Sequence, residues 1–358
     1  MRSLAYLLAT LATVAACGND PSPIGGDDTV TADAAPATID APSDACGGCP
    51  DGTTCGTAND VPVCRTATGI PRFEHVFVIL MENTSWDTLA QTDNTPFLHG
   101  LFASGAVSSD YHGVEHPSLP NYVALVGGGT GGIACDCNPT GDACTALSCN
   151  TVVHNCGCPQ DGEHLGDQLD AAGVSWRAYA EDMGTPCNLT SSGDYAVRHV
   201  PFLYFQSLQD DATRCADRVV DYDLEFPDDL AATPRRFNFI APNLVSDMHD
   251  PFPAGAQNYA NGDAWLDAEV TRIMMSSAYQ DRGLLVIVWD EDDLSGVLAP
   301  DDPIPMILLS PLAKHDGYVS DVHADHYDLL ATFEDGLGLP RLGAAADATP
   351  LADFFPAQ

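Results

Sequence analysis

The sequence predicts an α/β fold with a largely parallel central sheet sandwiched by helices. Apolar runs alternate along the chain with segments of helical spacing, as in proteins whose parallel strands are joined by crossover helices. The runs are continuous rather than alternating in polarity, which is typical of strands covered on both faces. The chain has 358 residues, 45% of them hydrophobic, which is enough for a sizeable core.

The elements follow from these patterns in chain order. We predict strands from the apolar runs at Phe73–Met81, Ala106–Tyr111, Val174–Ala180, Arg236–Ile240, Gly283–Trp289 and Ile304–Leu309. We predict helices from the spacing at Pro96–Ser104, Leu119–Val126, Glu163–Ala172, Asp263–Tyr279 and Ala324–Glu334. The third helix is followed by Gly173, a residue that often ends a helix.

The charge balance excludes one class of partner. Asp and Glu total 51, whereas Lys and Arg total 13, and Lys314 is the only lysine. Nucleic-acid binding depends on basic side chains that neutralise phosphates, so we expect no nucleic-acid partner. A site for an anionic phosphate ester in so acidic a chain would need bound cations to offset charge.

The N-terminal segment predicts export. Arg2 and the short apolar run Leu4–Ala16 are typical of a signal peptide, and Val14–Cys17 resembles a bacterial lipoprotein signal, in which the cysteine is lipidated. Removing Cys17 from the 13 cysteines leaves an even number, as expected for an exported protein. We therefore expect a signal peptide at 1–17 and a lipid anchor on the bacterial cell envelope as the only membrane attachment. An ordinary signal peptide of a secreted or periplasmic protein is the alternative.

Composition divides the rest of the chain. Residues 18–45 have almost no large apolar side chains and are expected to form an acidic disordered linker. Residues 46–66 hold four cysteines among turn signals, which favours a small module with two disulfides over a zinc knuckle, because export oxidises thiols. The main domain is expected at 70–358, interrupted by a Cys-rich, disulfide-stapled insertion at 133–158 that pairs its thiols together with Cys187 and Cys215.

Three clusters of oxygen and nitrogen ligands follow predicted strands. Glu82 and Asn83 follow the first strand, Asn243, Asp247 and His249 follow the Arg236–Ile240 strand, and the run 290–293 with Asp290 and Glu291 follows the Gly283–Trp289 strand. Ligands bind beyond the carboxyl ends of parallel strands, so these side chains are expected to converge. Carboxylates suit a divalent cation, although an acidic residue after a strand is more often a helix cap or a solvated turn.

Ser118 lies in His116-Pro117-Ser118-Leu119-Pro120-Asn121-Tyr122, just before a predicted helix. If Ser118 is a nucleophile, the helix N-terminus and a cation would both stabilise its alkoxide. If it has a structural role, it would cap the helix. His116 could contact a phosphate or leaving group, or hydrogen-bond the turn. His323 and His326 lie three residues apart at the start of the last helix, and one of them, with His326 the candidate, could be a ligand or proton donor. The alternative is an ordinary helix-capping region, in which Asp321 and Asp325 are equally good candidates.

These motifs resemble the phosphoesterase family that groups acid phosphatases with bacterial phospholipases C, within the alkaline-phosphatase-like superfamily. The similar segments occur in the family's order and are 81–87, 116–122, 241–250, 289–291 and 323–330. The resemblance implies an alkaline-phosphatase-like fold and metal-assisted phosphotransfer to serine. It implies Ser118 as nucleophile, Asn83 as a phosphate-oxygen partner, and Glu82, Asp290 and Glu291 as ligands of a divalent metal ion. Asp247, His249 and His326 are looser matches, for a second metal or for phosphate.

The hypothesis is therefore a secreted metal-dependent phosphomonoesterase, acting on a small phosphate ester or a phospholipid head group. Large phospholipases of the family carry long C-terminal extensions that this sequence lacks, which favours the acid-phosphatase-like branch. A phospholipase C-type phosphodiesterase and a non-enzymatic calcium-binding surface lipoprotein are the alternatives.

Overall fold

The computed structural model describes residues 45–140, 158–232, 234–249, 256–293 and 302–357. The expected signal peptide, the linker up to residue 44 and most of the Cys-rich insertion lie outside the described residues. Within the described ranges no helix combines the length and apolar character needed to cross a membrane.

Short strands and helices alternate along the described chain. The strands are β1 (Thr53–Ala58), β2 (Val61–Thr66), β3 (His75–Met81), β4 (Ala106–Ser108), β5 (Tyr111–His112), β6 (Trp176–Ala180), β7 (Val219–Asp221), β8 (Phe237–Ala241), β9 (Gly283–Trp289), β10 (Met306–Leu309), β11 (Tyr318–Ser320) and β12 (Ala324–Asp325). The helices are α1 (Trp86–Gln91), α2 (Pro96–Ser104), α3 (Ser118–Gly127), α4 (Leu165–Ala171), α5 (Gln206–Gln209), α6 (Ala212–Arg218), α7 (Tyr222–Ala232), α8 (Ala256–Met275), α9 (Ser277–Gln280) and α10 (His326–Leu337).

An eight-stranded sheet forms the centre of the fold, in the order β11-β4-β10-β9-β3-β8-β6-β7. Strand β10 runs antiparallel to both of its neighbours, β9 and β4, and every other pairing in this sheet is parallel. The prediction of a largely parallel sheet is confirmed.

Helices cover both faces of the sheet. All seven residues of β9 are buried, and successive residues of a strand point to opposite faces, so neither face is open at the centre. Helix α3 packs against α10, and α2 packs against α8. The continuous apolar runs of β3 and β9 therefore mark the middle of the core, as the sequence predicts.

The predicted Ala106–Tyr111 strand is wrong as a single element. It divides into β4, which pairs with β10 and β11 in the large sheet, and β5, which pairs in parallel with β12. The last helix, α10, starts at His326, two residues after the predicted start at Ala324. Ala324 and Asp325 form β12, and the Asp325 carboxylate then caps α10 by accepting from the Tyr327 and Asp328 backbone N–H groups.

The N-terminal Cys-rich module is a β-hairpin with the two expected disulfides, Cys46–Cys55 and Cys49–Cys64. Its turn residues Asn59 and Asp60 have φ angles of 46° and 65°, the conformation that a two-residue hairpin turn requires. Disulfides Cys137–Cys158 and Cys187–Cys215 join segments of the main domain. The disulfide interpretation of these thiols, rather than a zinc knuckle, is confirmed for the described cysteines.

The hairpin is fastened to the body of the domain through its turn. The Asn59 side-chain amide donates to the carbonyl oxygens of Pro311 and Ala313 at 3.0 and 2.6 Å. These carbonyls follow β10, so the contact lies where that antiparallel strand ends.

Candidate active site

The site is assembled where β3 and β9 end. These neighbouring parallel strands are paired in register up to Met81 and Trp289, so Glu82 and Asp290 leave the sheet side by side. The Glu82 N–H donates to the Asp247 carbonyl oxygen at 2.9 Å, which brings the third cluster to the same edge. The expected convergence at the carboxyl edge of the sheet is thus present in the structure.

Ser118 is the first residue of α3, and its side chain is turned to the carboxylates. The residue before it, Pro117, occupies the helix-capping position and has no side-chain group that could accept from the first turn. The buried Ser118 hydroxyl lies 3.1 Å from Glu82 Oε2, 3.3 Å from Asn83 Oδ1 and 3.3 Å from Glu291 Oε1. The single hydroxyl proton serves one of these acceptors at a time, so the serine has a choice of proton acceptors.

Asn83 connects the two acidic clusters. Its backbone N–H donates to Asp290 Oδ1 at 3.0 Å, and its side-chain amide donates to Glu291 Oε1 at 2.9 Å. Asn83 has a φ angle of 26°, a left-handed conformation that asparagine tolerates better than most residues. This conformation lets one residue bind both carboxylates that follow β9.

His116 lies between two carboxylates at the mouth of the site. Its Nδ1 is 2.8 Å from Glu291 Oε2 and its Nε2 is 2.8 Å from Asp292 Oδ1, and its side chain is 41% exposed. The hydrogen bond that the His116 ring donates to Glu291 stabilises the charged imidazolium more than partial burial disfavours it, and the pKa of His116 rises to about 9. A protonated His116 therefore faces a small cavity of about 220 Å³ lined by Gly113–His116, Glu291 and Asp292.

The carboxylates themselves are buried and repel one another. Burial is the largest cause that raises the pKa values of Glu82, Asp247, Asp290 and Glu291. Repulsion from Glu82 adds to the effect at Asp247 and Asp290, whereas Arg198 opposes it at Glu82. The site therefore concentrates negative charge that the protein's own cations offset only in part.

The donor set fits a divalent cation. Among the described residues, Asp247 Oδ2 and Asp290 Oδ2 are buried without a hydrogen-bond partner. Unsatisfied buried carboxylate oxygens beside a serine hydroxyl and an asparagine amide are suitable ligands for a hard or borderline metal ion. Among the described residues, Glu82, Asp290 and Glu291 do not bring three carboxylate oxygens within 4.8 Å of one another, and Asn83 and Ser118 together hydrogen-bond to all three carboxylates.

The looser candidate ligands occupy different positions. Asp247 lies behind Glu82, and its Oδ1 accepts from the His249 backbone N–H at 2.9 Å. His326 is fully buried, with one ring nitrogen 3.0 Å from the Tyr111 hydroxyl and the other 2.8 Å from the Asp290 carbonyl oxygen. Both nitrogens of His326 are engaged, and its contact with the site is through the backbone of Asp290. Asp325 caps α10.

Sequence reasoning missed three residues that surround Glu82 and Ser118. His199 Nε2 lies 3.0 Å from Glu82 Oε1, its ring stacks on Tyr122 with centroids 5.2 Å apart, and burial lowers its pKa. Arg198 lies 3.9 Å from Asp136 Oδ2, and Asp136 Oδ1 accepts from the Leu119 N–H at 3.0 Å. Arg198 and His199 lie in a three-residue 3-10 turn, Val197–His199, with no preceding strand to signal a site.

Solved structures establish the class of fold. A protein of the alkaline phosphatase superfamily from Vibrio parahaemolyticus superposes with a TM-score of 0.54 at 14% identity, covering 90% of this chain and 76% of that one. A PsFucS1 sulfatase from Pseudoalteromonas sp. gives a TM-score of 0.52 at 14% identity, over 80% and 72% of the two chains. The fold is alkaline-phosphatase-like, as predicted.

Residues 90–340 match the sequence model of the Phosphoesterase family, and this chain belongs to that family. It is a hydrolase acting on phosphoester bonds, which rejects the non-enzymatic alternative. The matched range contains Ser118, Asp290 and Glu291 and begins just after Glu82 and Asn83.

Curated relatives are phosphatases. The chain is 30% identical over 298 residues to a phosphatidylinositol-3-phosphatase of Mycobacterium tuberculosis, covering 80% of this chain and 85% of the relative. It is 27% identical over 280 residues to a phosphate-repressible acid phosphatase of Penicillium chrysogenum, covering 76% of this chain and 60% of the relative. It thus spans most of the bacterial relative and somewhat over half of the fungal one.

We predict that Asp290→Asn stabilises the chelator-treated protein at pH 8 by about 1 kcal/mol. Burial raises the pKa of Asp290 in the folded wild type, so the folded state holds a proton that the unfolded state releases. The free energy of unfolding therefore falls as the pH rises from the ordinary carboxyl pKa through the raised pKa. An amide needs no proton and still accepts from the Asn83 N–H. Urea denaturation at pH 5 and pH 8, with chelator and with excess divalent cation, measures the effect.

The same substitution should reduce the stabilisation that a divalent cation gives the wild type. Asp281→Asn is the matched control, because the Asp281 side chain is 68% exposed and pairs with neighbouring Arg282 at the surface. A variant that unfolds more easily than the chelated wild type at pH 8, or that keeps the full gain from cation, would contradict the cation site.

Proposed function

We propose that this phosphoesterase is an exported, metal-dependent phosphomonoesterase that uses Ser118 as its nucleophile. The observation that carries the proposal is the buried Ser118 hydroxyl at the first position of α3, within 3.3 Å of oxygens of Glu82, Asn83 and Glu291. A serine hydroxyl is a weak nucleophile unless a base or a cation activates it, and Glu82 and the proposed cation would supply these two kinds of activation.

The cation would be held by Glu82, Asp290 and Glu291, with Asp247 and His249 as candidates for a second ion. When bound, it supplies a Lewis acid that favours the serine alkoxide and offsets the negative charge of the phosphate. His326 supports this arrangement from behind, because its ring hydrogen-bonds the Asp290 carbonyl oxygen at 2.8 Å. Such a contact fixes the ligand without occupying the site.

The first step transfers the phosphoryl group to the enzyme. The Ser118 oxygen attacks phosphorus in line and passes its proton to the Glu82 carboxylate, whose Oε2 is 3.1 Å away. The bond from phosphorus to the leaving oxygen breaks, and the leaving alcohol takes a proton from protonated His116. His116 suits this role because it is partly exposed and faces the cavity. Its pKa of about 9 keeps it protonated at neutral pH.

The second step releases phosphate. Water, deprotonated by His116 in its neutral form, attacks the phosphoserine, and the Ser118–phosphorus bond breaks. Ser118 recovers its proton from Glu82, so both side chains return to their starting states. Asn83 is placed to position a phosphate oxygen, since its side chain lies 3.3 Å from the nucleophile.

Arg198 is the nearby arginine that can help to neutralise the substrate. Burial lowers the pKa of Arg198, but its attraction to carboxylates that include Glu82, Asp136 and Asp247 contributes to a net rise of this pKa. Since the chain has only 13 Lys and Arg residues, an arginine beside the nucleophile's helix supports binding of an anion there.

A phosphate monoester is the favoured substrate class. The bacterial relative is named a phosphatidylinositol-3-phosphatase and the fungal relative an acid phosphatase, and both names denote phosphatases rather than phospholipases C. A phosphorylated lipid head group and a small soluble phosphate both satisfy this chemistry. The phosphodiesterase of the phospholipase C type is the alternative.

We predict that Ser118→Ala lowers kcat for an aryl phosphate monoester by at least about 10³-fold while the fold is retained. The substitution removes the attacking oxygen and leaves the apolar contacts of α3 intact. Steady-state hydrolysis with added divalent cation measures it, and circular dichroism checks the fold. Ser104→Ala should match wild type, because the exposed Ser104 hydroxyl donates to the Gly100 carbonyl oxygen of its own helix, away from the site.

Two results would change the proposal. If Ser118→Ala keeps most of its activity, Ser118 is not the nucleophile. If the wild type hydrolyses a bis-aryl phosphodiester far faster than the monoester, the phospholipase C-type alternative replaces the phosphomonoesterase.

We predict that His116→Asn lowers kcat for an alkyl phosphate by about 10²–10⁴-fold, and much less for a nitrophenyl phosphate. A poor leaving group needs the proton that His116 donates, whereas a nitrophenolate leaves without it. His315→Asn is the control, because His315 is 60% exposed and pairs with adjacent Asp316. Equal losses for the two substrates would remove His116 as the proton donor and leave it a structural role.

Export is supported by the disulfides of the described residues, because such bonds persist in oxidising compartments. The mass of the mature N-terminal peptide from membrane-fraction protein tests the lipid anchor. A diacylglycerol-modified Cys17 is the expected result, and an unmodified N-terminus after a different cleavage point would show an ordinary secreted protein.

A further inference from the structure

A second group of potential ligands lies beside the short β5–β12 pair, outside the active site. Asp110 comes just before β5, His112 is in β5, and His323 comes just before β12. The parallel pairing of β5 with β12 brings these residues together although 211 positions separate His112 from His323 in the numbering, and it also places the Ala324 N–H 3.0 Å from the Asp110 carbonyl oxygen. The backbone alone thus fixes the spacing of the group.

The three side chains point to a common space. One ligand atom from each lies within 4.8 Å of the others. His112 Nε2 is 2.8 Å from Asp110 Oδ1, His323 Nδ1 is 3.6 Å from Asp110 Oδ2, and the two imidazole rings are 4.8 Å apart. Both histidines therefore face the same carboxylate from neighbouring positions.

Ion pairing alone is a weak reason for this arrangement. The Asp110 side chain is 40% exposed and that of His323 is 68% exposed, and exposed pairs contribute little to stability. Two charged imidazoles this close would also repel each other. Neutral imidazoles with one carboxylate, by contrast, match the ligand preferences of a borderline metal ion.

We propose that Asp110, His112 and His323 bind a zinc-class divalent ion. Two nitrogens and one carboxylate oxygen give three protein ligands, with water completing a tetrahedral site. The two nitrogen donors distinguish this site from the carboxylates Glu82, Asp290 and Glu291, and they favour zinc over calcium or magnesium. The proposal does not depend on the reaction at Ser118.

An ion there would fasten two segments that support the active site from outside. Gly113, next to His112, is so close to the Asp290 backbone that an added Cβ would lie 2.8 Å from the Asp290 carbonyl oxygen. His326, three residues after His323, hydrogen-bonds the same carbonyl. Zinc bound at this site would hold both segments in place against the loop that carries Asp290 and Glu291.

The test counts zinc on the full-length mature protein. Wild type, His323→Gln and His315→Gln are dialysed against buffered free Zn²⁺, and bound zinc per chain is measured by elemental analysis. We expect His323→Gln to hold one zinc fewer than wild type at a free concentration that fills the wild-type site, with affinity at that site reduced at least about 100-fold. His315→Gln, an exposed histidine beside an aspartate, should bind as wild type.

Cobalt provides an independent readout that catalysis does not affect. Co²⁺ bound by two nitrogens and an oxygen gives visible absorption, which His323→Gln and Asp110→Asn should each lose while their circular dichroism is unchanged. Equal zinc content in wild type and His323→Gln would overturn the proposal. Loss of the same zinc in His315→Gln would also overturn it, because that result would show non-specific surface binding. If Asp290→Asn alone lost this zinc, the ion would belong to the Ser118 site and the proposal would be wrong.

Discussion

The repulsion between buried carboxylates at the ends of β3 and β9 is the constraint on which the site depends. Glu82, Asp290 and Glu291 are adjacent because their strands are hydrogen-bonded neighbours, and the core beneath them excludes water. A buried charge is costly unless it is paired. Asn83 and Ser118 relieve part of that cost with hydrogen bonds, and a cation would relieve the rest. The arrangement that costs the folded protein free energy is therefore the one that, in the proposed mechanism, would activate Ser118.

The sheet and the elements around it fix the positions of these carboxylates. Glu82 directly follows a strand that is buried from its second residue onward, and the Glu82 backbone N–H donates to the Asp247 carbonyl oxygen. Ser118 comes from a different element, the start of α3, and its hydroxyl lies within 3.3 Å of oxygens of Glu82, Asn83 and Glu291. His326 and Asn83 then fix Asp290 from two sides. Small backbone shifts in any of these elements would change the distances around Ser118 together.

The sequence predicted those parts of the fold that depend on long, uniform patterns. The bounds of β9 and α2 agree with the predicted Gly283–Trp289 and Pro96–Ser104, because a continuous apolar run and a Pro-initiated helix are strong local signals. Strand β7 has three residues and β5 has two, too few for any periodicity to appear. The division between β4 and β5 depends on pairing with β10 and β12, which are distant in the chain.

The same reasoning explains which site residues could be found. Glu82, Asn83, Asp290 and Glu291 follow recognisable strands, and Ser118 opens a recognisable helix, so topology alone predicts their meeting. Arg198 and His199 reach the site from a short turn whose position is set by packing, including the stacking of His199 on Tyr122. The role of Asp136, at the start of the Cys-rich insertion, could not be predicted for the same reason. Local sequence carries no signal for contacts of this kind.

The reversed direction of β10 has a consequence for how the molecule faces its surroundings. Its final residues return to the edge of the sheet where the parallel strands begin, as the hydrogen bond of 2.6 Å from Ser310 to the Gly283 carbonyl shows. The Cys-rich hairpin is fastened at that edge through Asn59, so the described chain starts on the back of the domain. Because Glu82 and Asp290 follow the opposite ends of β3 and β9, Ser118 lies at the far edge of the sheet from the hairpin, and a partner that contacted the hairpin would leave the serine uncovered.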